Sequence, residues 1–170
     1  MQNRAVILAL IASYYDGDLE DGENALEMLG KAELKAGEAE EYEFNRLFVG
    51  PGHLLAPPYA STYLSPEKAV MQAETLKVRK FYEEFGMELV NKNRIPDDFL
   101  GYELMFLALL EEIIQQEEDN AEFIELRNRF IKEHLANWLP EHLAKVRANA
   151  KTKFCLALND ALAEVFQTYL

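Results

Sequence analysis

Phe99-Leu100-Gly101-Tyr102-Glu103-Leu104-Met105-Phe106-Leu107-Ala108-Leu109-Leu110-Glu111-Glu112-Ile113 is the stretch that decides the fold. Phe99, Tyr102, Phe106, Leu109, Leu110 and Ile113 recur at the spacing of one face of an α-helix. The same period returns on both sides. Val6, Ile7, Leu10, Ile11 and Tyr14 predict a first helix ended by Gly17. Asn24 to Ala36 predicts a second around Leu26, Leu29 and Leu34, weakened at its middle by Gly30. A third, Glu38 to Phe48, opens on a glutamate-rich turn that suits a helix start. Ser65-Pro66 reads as a cap and first-turn proline, followed by the face Val78, Phe81, Tyr82 and Phe85 and closed or interrupted at Gly86. Asn91 to Pro96 is a polar break, after which Asp97 or Asp98 caps the central stretch. Glu117, Glu118 and Asp119 mark a turn. Phe123, Leu126 and Phe130 begin a helix that runs on through Ile131, Leu135, Trp138 and Leu139, with Pro140 kinking or restarting it. Phe154, Leu158, Ala161, Leu162, Val165 and Tyr169 line the last one. No segment alternates with period two and no repeat has a fixed period. The expectation is an all-α fold: one helical domain over residues 1–170 with seven to nine helices and a hinge available at residues 91–98.

Composition agrees. A chain of 170 residues, 49% hydrophobic with six prolines, has the size of one globular domain and needs no covalent staple. Seventeen basic against thirty acidic residues leave a net charge of −13, which repels a phosphate backbone and disfavours nucleic acid as a partner. Cys155 is the only cysteine, so a disulfide framework and cysteine-rich metal sites are out and a reducing, cytoplasmic setting fits. The apolar run Ala5 to Ala12 is too short to cross a bilayer and lacks a cleavage pattern, so neither membrane insertion nor a signal peptide is expected.

Catalytic signatures fail. Gly50-Pro51-Gly52 lacks the third glycine and the strand of a dinucleotide loop, and no Gly-Lys-Ser/Thr or nucleophile elbow exists. Cys155, between Phe154 and Leu156, reads as an inert buried thiol. His53, His134 and His142 form no His-Glu-x-x-His, and the last two read as surface or helix-end histidines. Glu38, Glu40, Glu41 and Glu43, like Glu111, Glu112, Glu117 and Glu118, read as solvated faces. No catalytic residue, metal or cofactor is expected.

The informative segment is Phe44-Asn45-Arg46-Leu47-Phe48-Val49-Gly50-Pro51 followed by Ala56-Pro57-Pro58-Tyr59-Ala60-Ser61-Thr62-Tyr63-Leu64. Pro57 and Pro58 hold the backbone extended and remove amide donors. A loop this rich in Leu, Phe, Pro and Tyr either covers the helices or walls a groove for an apolar ligand.

This segment resembles the TorD/DmsD/NarJ family of redox-enzyme maturation chaperones, with the nearest similarity to its DmsD-like branch. The marks are Leu47-Phe48-Val49-Gly50-Pro51, then Pro58-Tyr59-Ala60-Ser61-Thr62-Tyr63. Pro96-Asp97-Asp98-Phe99-Leu100-Gly101-Tyr102-Glu103-Leu104 is similar to the family's proline–acidic–Asp-His segment ending in Glu-Leu. His134-Leu135-Ala136-Asn137-Trp138-Leu139-Pro140 is similar to its late helix motif. Two departures stand out: Phe99 replaces the family histidine, and Tyr59 stands where a tryptophan often follows the prolines. The resemblance implies a non-enzymatic, all-α cytoplasmic chaperone of anaerobic respiration. It would bind the twin-arginine signal peptide of a molybdopterin-containing reductase subunit and hold that subunit until cofactor insertion, as a monomer or a domain-swapped dimer. The implied leader-binding residues are Leu47, Phe48, Pro58, Tyr59, Tyr63, Asp98 and Phe99, with His134 and Trp138 behind them. Leu47, Phe48 and Trp138 also read as core, and Asp98 as a helix cap. Alternatives are a NarJ-like assembly factor for a membrane-bound nitrate-reductase-type enzyme, a metal-dependent helical hydrolase using clustered carboxylates and histidines, and a helical scaffold without a groove.

Overall fold

Asp18 stops one helix and starts the next: its side chain accepts the Asp21 amide at 3.0 Å, so α2 (Leu19–Met28) follows α1 (Arg4–Tyr15) across Gly17. The computed structural model describes residues 4–67, 73–90, 94–117 and 119–170. α2 is shorter than the sequence suggests. Gly30 adopts φ +74, donating to the Glu27 carbonyl while the Lys31 amide reaches back to Leu26, a C-terminal lock that closes the helix. Residues 29–36 are therefore turn, pinned where the Glu23 carboxylate accepts the Ala36 amide at 2.8 Å.

α3 (Glu38–Phe44) widens into a π-helical turn, Asn45–Val49, which ends at Gly50. After the proline loop come the single turn α4 (Ser61–Leu64) and then α5 (Ala73–Phe85), α6 (Leu100–Gln116), α7 (Ala121–Glu133), α8 (Leu139–Asn149) and α9 (Lys153–Gln167). The expected helix start at Ser65-Pro66 abuts residues 68–72 and the expected hinge includes residues 91–93, all outside the described residues, as is Glu118. Asp97 and Asp98 do not cap α6: Phe99 occupies that position without a side-chain bond. The long helix expected through Trp138 breaks at His134 into a short 3-10 turn, Leu135–Asn137, and Pro140 sits in the first turn of α8, where its missing N–H costs nothing. The fold is all-α. Among the described residues the one strand-like feature is an isolated antiparallel bridge between Tyr59 and Phe99.

α1 and α6 form the central pair and run antiparallel, since Arg4 meets Glu111 at 3.6 Å while Gly101 lies against Ala12. The contact at Gly101 is close. A Cβ there would sit 2.5 Å from the Phe99 ring and 3.1 Å from the Ala12 carbonyl oxygen, so glycine is what lets the two backbones approach. α9 packs across α1, α2 and α3. Leu8, Ile11, Leu104, Leu107, Leu135, Leu139 and Leu162 are fully buried in the core between these helices. Each buried side chain of this size contributes about 1.5–3 kcal/mol of transfer free energy.

Candidate functional site

Pro57 and Pro58 have no N–H to donate, and it is the donors to their carbonyls that fix the loop. Leu100 N–H donates to the Pro58 carbonyl at 2.9 Å, and Ala60 N–H donates to the Asp98 carbonyl at 3.1 Å. The Tyr63 hydroxyl donates to the Pro57 carbonyl at 2.8 Å. The start of α6 and the proline loop are thereby one corner. The Tyr59 and Phe99 rings lie 5.6 Å apart across the bridge, and Phe99 meets Tyr102 edge-on at 5.3 Å.

Most of the residues expected to line a groove at this corner are packed inward. Leu47, Phe48, Pro58, Asp98, Phe99, His134 and Trp138 are all buried, and only Tyr59 and Tyr63 are half-exposed. Seven of the nine thus pack inward, although His134 also lines a recess between α5 and α7. The reason is packing: the loop folds inward, and Phe48 lies 5.1 Å from Tyr15 while Trp138 lies 5.4 Å from Tyr63.

Within the chain, Asp98 has uncharged partners among the described residues. Its carboxylate, 0% exposed, accepts the Ser61 amide at 2.7 Å and the Thr75 hydroxyl at 2.8 Å, tying the loop and α5 to the head of α6. The basic contact belongs to Asp97, which accepts both Arg79 Nε at 2.7 Å and Nη2 at 2.9 Å, while Tyr82 donates to the Asp97 carbonyl at 2.8 Å.

Two buried histidines organise the rest, and both correct the surface reading of these residues. His134 Nε2 lies 2.7 Å from Glu103 Oε1, and Trp138 Nε1 donates to the other Glu103 oxygen at 3.2 Å. Burial pushes the Glu103 carboxyl up to about 7 against the opposing pull of His134. Burial pulls His134 down, but the Glu103 carboxylate outweighs it and leaves the imidazole above its ordinary range. The pair thus grips a proton that an unfolded chain would release at neutral pH. His142 does the opposite. Its Nε2 accepts the Tyr15 hydroxyl at 2.9 Å, its Nδ1 faces the Tyr63 hydroxyl at 3.1 Å and the Pro57 carbonyl at 3.3 Å, and burial takes it down to about 3. Burial thus favours its neutral form.

The spacing of apolar residues did not single out Glu103, Thr75, Tyr15 or His142. Glu103 carried one signal: an acid inside the apolar run of α6, pointing to the same face as buried Leu107 and Phe106. Glu40, Glu43 and Glu111 are also buried rather than solvated. Glu43 receives Arg46 at 2.7 Å, and Glu111 receives Arg127 at 2.9 Å. Cys155 is buried, and burial raises its thiol to about 12.

Several recesses surround this core. One of about 220 Å³ opens between α5 and α7, with Phe81 and His134 at its base and Lys77, Lys80 and Arg129 at its rim. Another, of about 510 Å³, lies beside the outer face of the Gly50-Pro51 turn and is lined by Tyr42, Arg46 and Leu55. Among the described residues no three His, Cys, Asp or Glu side chains are grouped to hold a metal ion. None of the described helices is long and apolar enough to cross a membrane.

The fold is that of a crystal structure from Archaeoglobus fulgidus assigned as a redox enzyme maturation protein, with a TM-score of 0.60 over 99% of this chain and 93% of that one at 20% identity. The sequence profile described as nitrate reductase delta subunit matches residues 8–144, a span that takes in the aromatic corner, α6 and both buried histidines. The chain belongs to that family. It is 28% identical over 125 residues to a Haemophilus influenzae protein named "Probable Tat proofreading chaperone DmsD", covering 74% of this chain and 56% of that protein. It is 27% identical over 127 residues to a chaperone protein TorD of Psychrobacter sp., covering 74% and 58% respectively. The chain therefore spans little more than half the length of these curated relatives.

Proposed function

We propose that this protein is a maturation chaperone that binds the N-terminal leader of a molybdenum-cofactor oxidoreductase subunit and holds the subunit until the cofactor is in place. The observation that carries this reading is the family match over residues 8–144, joined to relatives named as Tat proofreading and TorD chaperones. The physics is compatible. A twin-arginine leader has a cationic start and an apolar middle, and this chain offers a net charge of −13 with half-exposed Tyr59 and Tyr63 at the corner. Ordering a flexible leader costs entropy, which suits moderate affinity and release of a client. We take the chain to act in the cytoplasm as one domain, without catalysis.

A second reading, that the client is a nitrate-reductase-type subunit retained inside the cell, is favoured by the family's description as nitrate reductase delta subunit. Calorimetry with synthetic leaders separates the two. Binding that needs the paired arginines supports the exported client, binding that survives their replacement by glutamine supports the retained one, and no binding to either peptide defeats the proposal.

A further inference from the structure

The outer faces of α1 and α6 lack the charge that a water-facing helix pair carries. Between Val6 and Ser13 there is no charged residue, and between Tyr102 and Leu109 the only one, Glu103, is turned inward and buried. The solvent-side rows read Val6, Ala9, Leu10 and Ser13 on α1 and Tyr102, Met105 and Leu109 on α6. Val6 is 50% exposed and Met105 37% exposed. Helices apolar on all sides are normally covered. The seam between them is a crevice of about 280 Å³ with Ala5, Ala9 and Ala108 as a shallow floor and Val6, Met105 and Leu109 as walls. Its polar end is Glu112 with Gln115 and Gln116, and among the described residues no lysine, arginine or histidine lines it. Arg4, at the start of α1, is engaged by Glu111 and by the Tyr169 ring. At the opposite end the seam reaches Tyr102, which joins the Tyr59–Phe99 corner through ring contacts.

We infer that the α1/α6 seam is where the apolar segment of the leader lies, with its cationic start beside Glu112 and its apolar run extending toward Tyr102. This rests on the leader-binding reading above and moves the contact surface from the sealed loop residues to an exposed face continuous with them. Ten residues of α6 separate Tyr102 from Glu112, roughly 15 Å at the helical rise, which accommodates about three turns of an apolar helix. Charge selects the occupant. A second copy would bring another −13 and another Glu112 to the same seam, whereas an apolar peptide with arginines at one end meets only acid and hydrocarbon.

The test uses the full chain, a synthetic peptide of two arginines followed by a twelve-residue Leu/Ala-rich run, and calorimetry. Val6→Glu and Met105→Glu change exposed side chains and should leave the thermal unfolding midpoint near the parent's, while each weakens binding about tenfold or more. Glu112→Gln should weaken it a few-fold and flatten its salt dependence. Tyr42→Glu, on α3, should leave it unchanged. If the parent binds and both apolar-face variants bind as well as it does, the seam is wrong while leader binding stands. Loss only in Tyr42→Glu would move the site to the crevice beside Pro51. A parent that binds no peptide removes the leader reading itself. A parent that sediments as a dimer dissociated by Met105→Glu makes the occupant a second copy and overturns the inference.

Discussion

Replacing Asp98 tests whether the proline corner is held by a buried carboxylate. Asp98 accepts from the Ser61 amide at 2.7 Å and the Thr75 hydroxyl at 2.8 Å, and its own carbonyl accepts from Ala60. In Asp98→Ala both side-chain bonds go, and two donors are left without an acceptor in a site closed to water. A hydrogen bond to a charged group contributes about 1.5–3 kcal/mol, and the two losses overlap, so the expected cost is about 3–4 kcal/mol. For a domain of this size that lowers the midpoint by on the order of 10 °C. Asp98→Asn should be milder. The amide oxygen still accepts the Ser61 N–H, and the Thr75 hydroxyl rotates to accept from the new NH₂ group, so only the charge assistance is lost, about 1–2 kcal/mol. Urea denaturation of the parent and the two variants gives the comparison, and hydrogen exchange at Ser61 localises it. A cost below about 1 kcal/mol for Asp98→Ala, or equal costs for the two variants, would show that the carboxylate is not what fastens the corner.

Gly101→Ala should lose about 1–3 kcal/mol, since its Cβ meets the Phe99 ring at 2.5 Å and the Ala12 carbonyl at 3.1 Å; a melting point equal to the parent's would mean that α1 and α6 separate at little cost. Stability should fall as pH rises through about 7, because Glu103 and His134 both hold protons above their unfolded values; Glu103→Gln should flatten that limb in denaturation series run from pH 5 to 9. On the acid side the sign reverses. His142, depressed to about 3, stabilises above its unfolded value near 6.5, and that contribution is lost as pH falls toward 3; His142→Phe should remove this acid-limb slope. Cys155 should react with a thiol reagent only when the chain opens, so that sub-denaturing urea should accelerate its labelling at fixed pH; fast labelling without urea would mean the thiol is not buried.

Helical period and punctuation were enough, from the sequence alone, to give the all-α class and the longest helices, but not the bounds of α2 and α7 or the single turn α4. The apolar spacing along α1, α6 and α9 gives those elements directly, because a helix must bury one stripe and the stripe is written in the residues. The family motifs were legible for the same local reason, as runs of named residues. What the sequence could not say is which way a motif's side chains face. Leu47, Phe48, Phe99 and Trp138 satisfy a groove or a core equally well as hydrophobic letters, and only the inward fold of the proline loop, fixed by carbonyl acceptors on α6 and Tyr63, made them core. Glu103 and His134 are 31 residues apart, and Tyr15 and His142 are 127 apart. Pairings at such separations depend on how α1, α6, the residues that follow α7 and α8 are stacked, which no local pattern encodes. The tertiary structure alone turned scattered polar letters into buried partners and left the outer seam of α1 and α6 as an apolar surface open to solvent.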